Sequence, residues 1–87
     1  MGYEIKLTKL TEKKLRDIAN FIIEQYPLPE TALRVFEELE GKINTLTENP
    51  NRGFKFGDRY RAIIHKHYTI IYKVDEENKV VFILSIS

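Results

Sequence analysis

Three observations predict an α+β fold of order β-α-α-β-β-β, with an N-terminal helical hairpin packed on one face of a curved antiparallel sheet. Arg59 to Ser87 (RYRAIIHKHYTIIYKVDEENKVVFILSIS) holds three successive runs of β-branched and aromatic residues. The links between them, His65-Lys66-His67 and Asp75-Glu76-Glu77-Asn78, are too short for a crossover helix, so the three runs form an antiparallel meander. Upstream, two stretches repeat apolar residues at spacings of three and four on either side of Pro27-Leu28-Pro29, the pattern of two amphipathic helices joined by a tight turn.

The first element is a short strand in Gly2–Leu7, where Tyr3, Ile5 and Leu7 alternate with Glu4 and Lys6. It is expected to join the same sheet. Thr8 or Thr11 then caps a helix whose stripe is Leu15, Ile18, Ala19, Ile22 and Tyr26. Phe21 and Ile23 lie off that stripe, so this helix has either a wide buried face or a second surface to cover. Pro27 stops it, because a proline disfavours helix at the preceding residue and has no N–H to donate. A second helix starts at Glu30 or Thr31, with Leu33, Phe36, Leu39, Ile43 and Leu46 as its stripe, and ends at Asn49-Pro50. Both stripes are most readily buried on one face of the sheet. Asn49 to Asp58, with a proline, two glycines and no period, reads as a loop from helix to sheet.

Within the meander, Tyr60, Ala62 and Ile64 alternate with Arg61, Ile63 and His65, and Tyr68, Ile70, Tyr72 and Val74 with Thr69, Ile71 and Lys73. The last run, Val80 to Ile86, is apolar almost throughout and is expected to be the most buried strand. An exposed sheet edge is also expected there, with Phe82 and Ile83 available for homodimerisation or strand addition.

Eighty-seven residues make one domain, residues 1–87, and leave no room for a second. With 43% hydrophobic and 31% charged residues the chain is globular, and its apolar runs fall far short of the roughly 20 residues of a membrane span. There is no cysteine, which excludes disulfides and thiolate metal sites, and no secretory pattern at the N-terminus. A cytoplasmic location is the corresponding expectation. The net charge is only +1 but unevenly spread. Residues 51 to 73 hold Arg52, Lys55, Arg59, Arg61, Lys66 and Lys73 against Asp58 alone, whereas residues 29 to 48 hold five glutamates against Arg34 and Lys42. The basic stretch suits a nucleic acid or an acidic protein, or is simply a solvated face.

Two constellations bear on chemistry. His65 and His67 flank Lys66, and i, i+2 spacing on a strand places both on one face, as an acid/base pair or a metal pair needs. No third metal ligand is evident, and a solvated hairpin tip is the plainer reading. Arg59, Arg61 and Lys73 with Tyr60, Tyr68 and Tyr72 form the second group, whose parities suggest one basic, partly aromatic face able to neutralise phosphates and stack on bases. The competing reading packs the tyrosines under the helices, with their hydroxyls at the rim. No nucleophile with an identifiable base is present, and no metal or cofactor is called for.

The order of these pieces resembles the RelE/ParE superfamily, the toxins of bacterial type II toxin–antitoxin pairs. The resemblance runs through ALRVFEELEGKINTLTENP at Ala32 to Pro50 and Gly53, then YRAI at Tyr60 to Ile63, HYTIIYKV at His67 to Val74, and VVFILSI at Val80 to Ile86. It implies the fold derived above and an antitoxin that wraps the toxin. The mRNA-cleaving branch of the superfamily uses basic residues on the central strands and an arginine with an aromatic after the last strand. Arg61 matches one of those positions, but Ile63 and Thr69 stand where two others are basic, and the C-terminal pair is missing. The resemblance therefore implies the ParE-like branch, which inhibits DNA gyrase by binding. RelE-like cleavage of ribosome-bound mRNA, with Arg61, His65 and Lys73 as catalytic candidates, is the alternative. A third expectation is a toxin made inactive by a shortened C-terminus. Arg59, Arg61, His65, Lys66, His67 and Lys73 are the residues expected to touch the target.

Overall fold

A computed structural model of the chain describes residues 2–87. The chain runs β1 (Glu4–Leu7), α1 (Lys9–Gln25), α2 (Pro29–Asn44), a 3-10 turn (Thr45–Thr47), β2 (Phe54–Phe56), β3 (Tyr60–His65), β4 (Tyr68–Asp75) and β5 (Val80–Ile86). The five strands form one sheet in the order β1-β5-β4-β3-β2. The β2 to β5 pairings are antiparallel, as short links require. The pairing of β1 with β5 is parallel, so the sheet is mixed rather than wholly antiparallel. This follows from the hairpin, which carries the chain across the sheet between β1 and the meander.

Two expectations change at the sheet edges. Residues 54 to 56, expected in a loop, pair with β3 through Phe54–Ala62, Lys55–Arg61 and Phe56–Tyr60. β5 is not an edge: β1 covers it, and Ile83 is fully buried with Phe82 half-buried. The edges are β1 and β2.

Thr8 is the cap of α1, with extended backbone and a side chain that accepts from the Thr11 N–H at 3.2 Å. Tyr26 ends the helix in extended conformation immediately before Pro27, and Pro29 occupies the first turn of α2, where a missing N–H costs nothing. From the helices, Ile18, Ile22, Ala32, Leu39 and Ile43 enter the core with Leu46 of the 3-10 turn. From the sheet come Ile63, Ile70, Tyr72, Val81, Ile83 and Ile86. Burying a side chain of this size stabilises by about 1.5–3 kcal/mol. At the start of α2 the inward residue is Ala32, while Leu33 turns outward and is 58% exposed.

The continuous apolarity of β5 has a local cause. Ile71 pairs with Ser85 and Tyr72 with Ile83, so Leu84 is an extra residue on β5, a β-bulge. Across it the side-chain alternation shifts by one, and Val81, Ile83 and Ile86 all reach the core.

Candidate functional site

The basic residues lie on or beside the β3–β4 hairpin, and its register fixes their directions. Arg61 stands opposite Tyr72 and His65 opposite Tyr68, on the side facing the helices. Lys73 pairs with Phe82 and belongs to the opposite side. The single basic, partly aromatic face expected of Arg59, Arg61 and Lys73 with Tyr60, Tyr68 and Tyr72 is therefore not formed. Parity relates residues within one strand only, and the pairing places the two strands' basic residues on opposite faces.

Arg61 is occupied by the protein itself. Its guanidinium donates to the carbonyl of Gly53 at 2.7 Å and to that of Asn51 at 3.2 Å. The neighbouring Tyr72 hydroxyl donates to the Pro50 carbonyl at 2.7 Å and accepts the Gly53 N–H at 3.0 Å. Four bonds from two side chains thus hold residues 50 to 53 against the end of β3. Burial pushes the Tyr72 phenol above its ordinary value, against the smaller pull of Gly53 and the arginines.

The histidines lie at the hairpin tip. Lys66 has a φ of 57° between them, so the chain turns back and the i, i+2 spacing no longer means a shared strand face. His65 is half-buried, and burial, then Lys66 and Lys42, push its imidazole below the usual value, with Glu38 opposing. It is accordingly neutral near pH 7. His67 is exposed and packs on Tyr68, ring centroids 4.3 Å apart. Lys66 reaches Glu38 at 3.6 Å, a solvated ion pair of small worth. Arg59 lies in the exposed turn between β2 and β3. Among the described residues, no three His, Asp or Glu side chains converge as a metal site requires.

A different surface is the more developed one. Between the outer sides of α1 and α2 runs an apolar groove of about 350 Å³, lined by Ala19, Ile23, Tyr26, Ala32, Leu33 and Phe36. Ile23 is 64% exposed, and Leu28 of the interhelix turn is exposed as well. This is the second surface implied by the off-stripe position of Ile23. A smaller cleft of about 290 Å³ opens between Tyr26, Val35 and the histidine turn. No helix among the described residues is long and apolar enough to cross a membrane.

Solved structures share this architecture. The toxin–antitoxin complex RelBE2 of Mycobacterium tuberculosis aligns with a TM-score of 0.71 at 19% identity, covering 100% of this chain and 98% of that one. The chromosomal ParDE system of P. aeruginosa aligns at 0.76 and 19%, over 98% and 94% of the two chains. The intact RelBE complex of E. coli aligns at 0.70 and 23%, again over 98% and 94%. At such identities the likeness is one of fold. No curated protein matches the sequence. The sequence itself matches the family model described as the ParE toxin of the type II toxin–antitoxin system, parDE, over residues 5–87, and with all but four residues covered the chain belongs to that family.

Proposed function

We propose that this protein acts by binding rather than by catalysis, as a toxin neutralised by a cognate antitoxin and directed at DNA gyrase. The observation that carries the reading is the dispersal of the basic side chains. Arg61 is bonded to two backbone carbonyls, His65 is half-buried at the hairpin tip on the helix side, and Lys73 faces the other way. General acid–base cleavage of RNA needs such groups within hydrogen-bond reach of one phosphate. The family match supports the ParE-like branch, for which the resemblance implies gyrase, and the fold shared with toxins solved in complex with their antitoxins supports the antitoxin.

The groove between α1 and α2 is the proposed antitoxin seat. Its Ile23, Leu33 and Phe36 suit the apolar stripe of a helix laid between the two. Expression in bacteria under a tight promoter tests the target. The expected result is growth arrest with accumulating double-strand DNA breaks and intact transcripts. Arrest with transcripts cut at ribosome-bound positions would replace this reading with the mRNA-cleaving one, for which RelE structures of the same fold are the supporting likeness. Normal growth with folded protein would mean that this chain binds its antitoxin but poisons nothing.

A further inference from the structure

The face of the sheet away from the helices exposes aromatic rings that neither the antitoxin groove nor the core accounts for. Phe54, Phe56 and Tyr60 are 52%, 48% and 40% exposed. All three share this face, because Phe56 pairs with Tyr60 and Phe54 with Ala62, two residues along from Tyr60. Ala62 is fully buried beneath them, so a small side chain forms the floor and larger rings stand beside it. Lys73 is on the same face, next to Phe82 on β5, and Lys6 flanks Phe82 from the other side. The carboxylates of this face, Glu4 and Asp75, both pair with Val80, one row further from the rings, and Asp75 is bonded to the Asn78 side chain and N–H. Of the cations on β2 to β4, the pairing places Lys73 on this face, whereas Lys55 pairs with Arg61 on the helix side.

We infer that this face binds single-stranded nucleic acid, with bases stacked on Phe54, Phe56 and Tyr60 and phosphates neutralised by Lys73 and Lys6. The rings offer planar surface to planar bases, and stacking of this kind tolerates any sequence. A second copy is a poorer occupant, because face-to-face stacking brings the two lysines near their own counterparts. An aliphatic helix is better served by the groove of Ile23 and Leu33, which is free of lysine. The inference is independent of the choice between gyrase and ribosome.

Fluorescence anisotropy of labelled twelve-residue oligothymidylate and oligouridylate, at low salt and with the full chain, tests it. Saturable binding of one or both is expected, and the tighter of the two identifies the nucleic acid as DNA or RNA. Phe56→Ala and Tyr60→Ala are each expected to weaken binding roughly tenfold, Tyr60→Phe to retain it, and Lys73→Gln to lower the salt slope by about 1. The replaced rings are largely exposed, and circular dichroism verifies that the variants fold. Absence of binding up to about 1 mM protein, weaker than ordinary non-specific contact, would overturn the inference. So would binding unaffected by both ring removals, or competition by an acidic peptide that displaces the oligonucleotide without touching these residues.

Discussion

Gly53 shows how much one residue can fix. A Cβ placed there would lie 2.6 Å from the Ala62 carbonyl oxygen and 2.5 Å from the Tyr72 hydroxyl, one of which is backbone and cannot move aside. Gly53→Ala is therefore expected to destabilise by about 1–3 kcal/mol through overpacking, read as a lower urea midpoint at unchanged slope. Tyr72→Phe leaves the Gly53 N–H and the Pro50 carbonyl without their partner and costs about 1–3 kcal/mol. The same substitution has a pH signature. Because the folded phenol is pushed up, unfolded chains lose this proton first as pH rises past about 10. The stabilisation is complete below that pH and lost above it, so Tyr72→Phe should make the alkaline fall in stability shallower. None of this was legible from residue types. The sequence marks Gly53 as a turn residue and Arg61 as a strand cation, but which carbonyls a guanidinium meets depends on how residues 50 to 53 fold back.

At the scale of elements, the junction of β1, α1 and β5 is held by two threonines. The Thr11 hydroxyl donates to the Ile83 carbonyl at 2.8 Å from a fully buried position. Thr8 contributes its N–H to the same carbonyl at 3.3 Å and lies within 3.3 Å of the carbonyls of Ile83 and Leu84 through its hydroxyl. The cap of α1 therefore also secures the bulge that lets Val81, Ile83 and Ile86 all face the core. Thr11→Val keeps the shape and removes the hydroxyl, at an expected cost of about 1–2 kcal/mol. Combined with Thr8→Ala the loss should be less than additive, since both serve one carbonyl. Equilibrium unfolding of the two single variants and the double variant measures this. The helices were readable because their apolar period spans several turns, and the Pro27 stop and Thr8 cap have local causes. β2 escaped because three residues carry too little alternation, although Gly53 and Gly57 bracket Phe-Lys-Phe as turn residues bracket a strand. The parallel pairing of β1 was equally hidden, since it joins segments more than seventy residues apart.

Across the whole molecule the groove and the exposed rings lie on opposite sides, the groove on the outer side of the hairpin and the rings on the helix-free side of the sheet. Their surroundings differ in charge, α2 carrying Glu30, Glu37, Glu38 and Glu40 while the ring face carries Lys73 and Lys6 with Glu4 and Asp75 one row further on. With the groove as the proposed antitoxin seat, a substitution there is expected to remove neutralisation and leave toxicity. Leu33 is 58% exposed, so Leu33→Glu should leave folding nearly unchanged, within about 0.5 kcal/mol for an ordinary surface substitution. In the groove it would bury a carboxylate against any helix seated there, with an expected loss of affinity of at least about thirtyfold, the scale of an interface hot spot. Cells expressing this variant with the cognate antitoxin should remain arrested, whereas the parent protein is neutralised. If Leu33→Glu instead abolished arrest in the absence of antitoxin while its thermal unfolding matched the parent, the groove would be the surface that meets the target. The antitoxin would then neutralise by direct competition for it.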